Sequence, residues 1–507
     1  MKSQDIIKEC KARFEIARDL DDAWREKAME DLSFLDPDKQ WDMEVKQMRE
    51  ADGRPVLSVD RIGPIVRQIV NDFRQNYPSL KVSPVDNKSD VETANIISGL
   101  IRNIESSSNA KMSYTSAYEN AVRVGRGYLR LLSDYVDESS FDQELKIEAI
   151  ENPFSVYYDQ SYTQPDGSDA EWCIIATDIT EESFQREWPG KETRSDGDFT
   201  SKGNEALEDS EQKMVRILEY FYKTRKKVKI HLLDDGTTYE GELPDGIEPV
   251  KTRDSFKTEV HIIKTQGIDI LEKTIWPCAY LPIIPVFGDV LNINGKRDYR
   301  GIIRAAKDPQ RIINLHKSSM AEMISAAPKA PWIGPKGFVG NRGAEWAASN
   351  TRNVPYLEYE HFDSTLQVPL PPPQRNFGEP AIQAMAAITQ MSEGDIKATT
   401  SAYDPVMGQS EAKQSGRAIL ALQSQGQVSN LHFTDNLARA MKLLGHQIVS
   451  VLPTYYDTER IVRIIGQDDD ESLVKINSQE PDDKFKRVFD LKVGKYDVVC
   501  DMGPGYA

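Results

Sequence analysis

Apolar positions recur at three- and four-residue steps through the first 124 residues, shift to short β-branched and aromatic runs from Tyr128 to Val290, and return to helical spacing from Asp308 to Leu452. The first part predicts a helix carrying Ile6, Ile7, Cys10, Phe14, Ala17 and Trp24, interrupted at the Asp36-Pro37-Asp38 turn and resumed past Trp41 and Met48. Arg54-Pro55-Val56-Leu57 reads as an extended entry to a helix that buries Ile62, Ile65, Val66, Ile69, Val70 and Phe73 and stops at Tyr77-Pro78. A strand near Leu80–Val85 and helices over Asp90–Ser106 and Met112–Val124 follow, ending at the Gly125-Arg126-Gly127 turn. The middle part predicts strands at Tyr128–Leu132, Leu145–Ile150, Trp172–Ala176, Val215–Thr224, Lys227–Leu232, Val260–Lys264 and Ile283–Phe287, with Gly190–Ser210 as a mobile loop.

The stretch from Asp308 to Leu452 reads as helix, Pro-rich insertion, helix, polar loop and one long helix. Asp308 is placed to cap the first helix and Pro309 to occupy its first position, where no amide donor is needed. Ile312, Ile313, Met320, Met323 and Ile324 follow in helical rhythm, and a second helix starts at Glu379-Pro380 with Ile382, Met385, Ala386 and Met391 on one face. Pro328 to Gly378 holds eight prolines and cannot continue a helix, so it is a lobe carried on two helical legs. From Ser415 to Leu452 the apolar repeat predicts a helix of roughly 55 Å, weakened at Gly416, Gly426 and Gly445, bent near Gly426 and ended by Pro453. Strand patterns resume at Arg460–Ile465, Leu473–Ile476 and Val498–Cys500. The fold class is therefore α+β.

Composition narrows the function. At 507 residues and 39% hydrophobic the chain can build several cores. Cys10, Cys173, Cys278 and Cys500 are scattered, with no zinc spacing and no disulfide pattern, and read as reduced thiols. No window is long and apolar enough to span a membrane, and the N-terminus carries no signal-peptide core. The formal net charge of −18 opposes tight phosphate binding. Gly301–Leu452 holds 14 Lys or Arg against 12 Asp or Glu, so this near-neutral module sits in a body that carries −20. Such a body would not hold DNA firmly; the imbalance reads either as a surface that lets DNA pass or as an ordinary solvated acidic surface.

No phosphate loop, dinucleotide fingerprint, HExxH or GxSxG motif occurs, and the six histidines show no ligand spacing. No enzyme, cofactor or metal is expected, and Asp468–Glu471 reads as a solvated acidic turn. Two segments carry candidate contacts. Lys397–Gln414, with Lys397, Thr399, Thr400, Tyr403 and Lys413, and Arg417 just beyond it, is either a flexible contact for a passing ligand or a solvent connector. Trp332, Trp346, Tyr356, Tyr359 and Arg375 in the lobe either anchor a partner or build the lobe's own core.

Long strings spread through the chain are similar to the portal proteins of short-tailed, podovirus-type phages. They include IENPFSVY (Ile150–Tyr157), DGSDAEW (Asp166–Trp172), GDVLNINGK (Gly288–Lys296), AKDPQR (Ala306–Arg311), APKAP (Ala327–Pro331), PYLEY (Pro355–Tyr359), PPPQR (Pro371–Arg375), DIKATT (Asp395–Thr400) and SGRAIL (Ser415–Leu420). The resemblance implies a portal-type fold with a mixed wing over 1–300, stem helices over 301–327 and 379–398, and a clip over 328–378. It continues with a tunnel loop over 399–414, a spine helix over 415–452 and return strands over 453–507. It further implies a dodecameric ring at one capsid vertex, assembled in the host cytoplasm. Double-stranded DNA would be packaged and ejected through that ring. Terminase, a tail adaptor or head completion protein, and coat and scaffolding proteins would be its partners, with no membrane. Portals of this type continue into a crown and often a barrel, so the chain ending at Ala507 is expected to have continued. The alternatives are a connector or scaffold that binds protein only, and a packaging nuclease or ATPase, which the missing phosphate loop disfavours.

Overall fold

The computed structural model describes residues 3–85, 90–193, 199–205, 213–233, 238–241, 248–326, 332–349, 355–363, 368–375, 382–401, 430–458, 460–466, 471–477 and 494–501. Its helices are α1 (Ser3–Ser33), α2 (Met43–Ala51), α3 (Ile62–Gln75), α4 (Val91–Ser107), α5 (Ala110–Val124), α6 (Glu181–Glu187), α7 (Ile303–Ala326), α8 (Gly343–Ala348), α9 (Ile382–Thr400) and α10 (Leu431–Tyr455). The fold is mixed helix and sheet. Two compact units divide the chain: one of residues 1–32, 66–304 and 410–507, the other of 33–65 and 305–409.

The larger unit is built on antiparallel sheets. The main one runs in the order Val156–Tyr158, Trp172–Thr180, Met214–Leu232, Lys251–Thr265 and Ile270–Trp276, with Thr238–Glu240 added to the far end of Met214–Leu232. A second sheet pairs Arg126–Tyr135 with Ile283–Phe287 on one side and Gln143–Ala149 on the other. The apolar face of α1, through Ile6, Cys10, Phe14 and Ala17, covers Tyr157, Trp172, Ile174, Leu218 and Tyr220 of the main sheet. Such a face stabilises because each side chain removed from water contributes on the order of 2 kcal/mol.

Further along, α1 turns polar side chains inward. Asp21 receives Arg126 through two bonds of 2.8 and 3.0 Å, and both side chains are almost completely buried. The guanidinium is sandwiched between the Trp24 ring at 4.2 Å and the Tyr299 ring at 3.7 Å. Trp24 itself donates to the Val124 carbonyl at 2.9 Å. Ten residues beyond Asp21, Asp31 receives Arg304 at 2.9 Å. Burial of these ions is tolerable because each has a partner of fixed geometry.

In α10, Leu437, Met441, Leu444, Ile448 and Val451 form the buried face, while Asn436 donates to the carbonyls of Phe287 and Gly288 at 3.0 Å and Gln447 to that of Leu281 at 2.9 Å. Gly445 is no weak point: a Cβ there would meet Val498 at 2.6 Å, so the absent side chain lets the C-terminal strand Tyr496–Asp501 lie against the helix.

Several expectations are corrected. The first long helix starts at Ile303, not at Asp308, and holds Pro309 in its interior. Its first turn is fixed by packing of Ile302, Ile303 and Ala306, and this burial outweighs the local start signal at Asp308-Pro309. Gly301 just before it approaches the Arg123 backbone so closely that a Cβ would stand 2.1 Å from the carbonyl oxygen. Likewise α10 runs through Pro453 to Tyr455, since a proline in the last turn forfeits a single backbone bond. Val215–Thr224 and Lys227–Leu232 are one strand, Met214–Leu232, because Lys251–Thr265 pairs with it continuously. Within the expected mobile loop, Phe199 is buried and its carbonyl, with that of Asn204, accepts from Arg216 at 2.5 and 3.0 Å. The first half of the predicted spine helix, with Gly416 and Gly426, lies outside the described residues.

Replacing Asp21 by Asn keeps the shape but leaves Arg126 without its counter-charge. We expect a loss of about 3–5 kcal/mol in chemical denaturation, and D21N unfolding at the wild-type midpoint would refute this role.

Candidate functional site: the two-helix unit and its lobe

The smaller unit is organised by a polar stripe on α7. Gln310, Asn314, Ser318 and Glu322 recur every fourth residue, and the first three are essentially inaccessible to water (0%, 1% and 0% exposed). Four residues of helix advance about 6 Å, and two residues of extended chain about 6.6 Å. A helix face of this spacing can therefore serve an extended segment as if it were a neighbouring strand. Residues 54–61 lie along it as a strap.

The contacts follow that register. Leu57 N–H donates to Ser318 Oγ at 2.9 Å, Val59 N–H to Asn314 Oδ1 at 2.9 Å, and Arg61 N–H to Gln310 Oε1 at 3.0 Å. Gln310 Nε2 returns a bond to the Val59 carbonyl at 2.7 Å, and Asn314 Nδ2 donates to Gln40 Oε1 at 2.8 Å. Glu322 closes the far end, receiving Arg54 Nε at 2.9 Å and Arg49 Nη2 at 3.2 Å. At the near end Asp60 accepts from the amides of Ile62 and Gly63, the cap that starts α3. Arg61 also reaches Glu393 on α9 at 2.9 Å, so one strap ties both long helices.

The stripe inverts the usual rule of burial. On α9 the buried positions are Thr389, Ser392, Ile396 and Thr400, while Ile388 is exposed and Met391 is 69% exposed. On α7, Ile312, Leu315 and Ile324 are exposed. Met391, expected on one face with Ile382, Met385 and Ala386, is thus at the surface, and the face from Thr389 to Thr400 packs inward.

At its C-terminal end α9 extends to Thr400, so Lys397, Thr399 and Thr400 are helical and not part of a loop. Thr399 donates to the Asp395 carbonyl at 2.9 Å and Thr400 to that of Ile396 at 2.6 Å, which keeps the last turn closed before Ser401 turns left-handed at φ 56°. Lys397 is half-buried. Tyr403, Lys413 and Arg417 lie outside the described residues, as does the Glu379-Pro380 start signal.

In the lobe, Trp346 on α8 is the centre. Trp332 and Phe338 meet it edge-on at 5.0 and 5.1 Å, both at 84°. The Trp346 indole donates to the Glu358 carbonyl at 2.9 Å and that of Trp332 to Ser349 Oγ at 3.1 Å. The strand Trp332–Ile333 pairs antiparallel with Gln374–Arg375, which joins the two ends of the lobe and sets Arg375 opposite Trp332 in the backbone. Tyr356 and Tyr359 are exposed. The two tryptophans therefore build the lobe, while Tyr356, Tyr359 and Phe362 are aromatics exposed on it. Among the described residues no group of His, Cys, Asp and Glu gathers as a metal site, and no helix is long and apolar enough to cross a membrane.

Comparison with known proteins adds two findings. The family described as Phage P22-like portal protein matches residues 11–507. A relative named Portal protein, from Acyrthosiphon pisum secondary endosymbiont phage 1, is 26% identical over 533 residues, covering 97% of this chain and 72% of its own length.

Removing the stripe's central side chain tests the strap. Asn314→Ala orphans the Val59 amide and Gln40 together, and we expect a loss of about 2–4 kcal/mol. The half-exposed Arg61–Glu393 pair should be worth less than about 1 kcal/mol in E393Q. Equal losses in equilibrium unfolding would contradict the ranking.

Proposed function

The chain belongs to the phage P22-like portal protein family, and we propose that twelve copies close into a ring whose α7 and α9 helices line a channel for double-stranded DNA. The portal is a structural component of the virion and not a member of an enzyme family. In this reading residues 301–327 and 379–400 are the stem, 328–378 the clip, 401–414 the tunnel loop and 415–452 the spine, while 1–300 and 453–507 form the wing. The clip engages the terminase motor during packaging and the tail adaptor or head completion protein afterwards. The wing meets coat and scaffolding proteins.

The observation that carries the ring is the inverted burial of the two helices. A helix that hides Gln310, Asn314 and Ser318 beside Ile313 while exposing Ile312, Leu315 and Ile324 leaves part of its apolar surface outside its own unit. Apolar area left in water costs about 25 cal/mol per Å². A neighbouring copy presenting the corresponding helix removes that cost, and a heterologous contact repeated by rotation closes into a ring. Lys397, Thr399 and Thr400, with Tyr403, Lys413 and Arg417, are the channel candidates. Tyr356 and Tyr359 are the clip's partner-contact candidates, beside Trp332, Trp346 and Arg375, which would hold the lobe in shape. The chain's net charge of −18 suits a conduit, because each phosphate contact would add salt-dependent friction to DNA in transit.

Negative-stain electron microscopy with solution mass tests this directly. We expect rings with an axial hole of roughly 20 Å or more for the wild-type chain. L315D/M391D should remain a folded chain but lose the rings, since both positions are at the surface of a single copy. Rings that persist in L315D/M391D would remove these helices from the interface.

A further inference from the structure

Two surfaces of the larger unit match one another in charge and shape. The first is the hairpin tip joining Arg126–Tyr135 to Gln143–Ala149. Residues 134–144 hold five carboxylates and no Lys or Arg, and Asp134 among them pairs with Lys146 at 2.7 Å. The tip is ordered: Asp137 accepts from the Ser139 amide at 2.8 Å, and the Val136 amide donates to the Asp142 carbonyl at 3.0 Å. On this rigid turn Phe141 stands 97% exposed, flanked by exposed Tyr135 and Val136. A single exposed apolar residue is ordinary. An ordered turn that holds three of them among acids is a shaped surface.

The second feature is a cleft of about 660 Å³ lined by Tyr77, Lys81, Arg102, Lys111, Met112 and Tyr114 among others, a volume that accepts a large side chain with its neighbours. Its cations are incompletely used. Arg102 donates to the Ile465 carbonyl and Lys111 lies 5.8 Å from the Tyr77 ring, and among the described residues neither forms an ion pair; Lys81 meets Asp501 at 2.6 Å. Burial pushes the Glu105 carboxyl above the usual range, against the Tyr114 hydroxyl bond of 2.8 Å and the nearby Arg102 and Lys111 that lower it. The acid inside the cleft is therefore easier to neutralise than an ordinary glutamate. Met112 at the rim adds exposed apolar surface. In a chain of net charge −18 this is a locally cationic socket.

We propose that the Phe141 hairpin tip of one copy docks into the Lys81–Arg102–Lys111 cleft of the next. Phe141 fills the apolar part, and the tip's carboxylates meet the cations at the rim. Plug and socket are different surfaces of the same unit, so the contact is heterologous and repeats around a ring. The inference rests on the ring reading above and specifies which surfaces join the copies.

The test is a charge swap read by sedimentation of the full chain. K81E/K111E and E138K/E144K should each weaken self-association at least about tenfold, and F141A should do the same without changing charge. Combining K81E/K111E with E138K/E144K should restore assembly to within a few-fold of wild type. Far-UV circular dichroism and thermal midpoints matching wild type establish that each variant is folded. Assembly unchanged in both one-sided variants, or no recovery in the combination, overturns the proposal. So does K81E/K111E that assembles normally but loses retention of duplex DNA on a filter, which would make the cleft a phosphate site. A wild-type chain that stays monomeric overturns the ring itself, whereas rings formed equally by every variant overturn this contact alone.

Discussion

The smaller unit depends on one geometric coincidence: a four-residue helical step and a two-residue extended step are nearly the same length. Because of it, Gln310, Asn314 and Ser318 can satisfy alternate backbone groups of residues 57–61. A strap of irregular chain can then be packed against a helix without orphaned amides, which would each cost about 1–3 kcal/mol. Shifting the strap by one residue would present the wrong set of groups to all three side chains at once. The register is therefore set by hydrogen bonding, and Ile312, Leu315 and Ile324 of α7 are left at the surface.

That division of labour has a structural consequence for assembly. In an ordinary globular protein the apolar stripe of a helix is used internally and polar residues face out. Here much of the internal contact is polar, beside the buried Ile313 and Ile396, and Arg61 extends it to Glu393 on α9. Apolar side chains at Ile312, Leu315, Ile388 and Met391 are left outside. In the proposed ring these exposed positions are the ones a neighbouring copy would cover, and because apolar contacts are non-directional they would leave the strap's hydrogen bonds intact.

The larger unit solves a different problem with the same means. Helix α1 has to cover a sheet with one part of its length and meet the Arg126 guanidinium with another. It does the first with Ile6, Cys10, Phe14 and Ala17 and the second with Asp21 and Trp24. The buried ion pair is weak evidence for added stability, since hydrophobic replacement can do as well. Its geometry, two hydrogen bonds and two aromatic faces, instead defines how α1, the sheet and Tyr299 meet.

Much was legible in the residues alone. Apolar spacing located α1, α3, α4, α5 and the main strands, and the extended strings from Ile150 to Leu420 carried the family resemblance that the match over residues 11–507 supports. The proline count marked the lobe between two helices. The misses share a cause. Asp308-Pro309 and Pro453 are strong local signals, yet α7 and α10 run through them because burial of Ile303, Ala306, Val451 and Leu452 outweighs one missing backbone bond. The stripe Gln310, Asn314, Ser318, Glu322 was visible as a four-residue polar repeat, but nothing local says that such a repeat is buried. Its partner, the strap, lies roughly 250 residues away in the chain. What the sequence by itself determined was the set of elements and the family, because both depend on nearby residues and long matching strings. Which faces of α7 and α9 turn inward was decided only by tertiary structure, since burial of a polar group is settled by whether a distant backbone arrives to satisfy it.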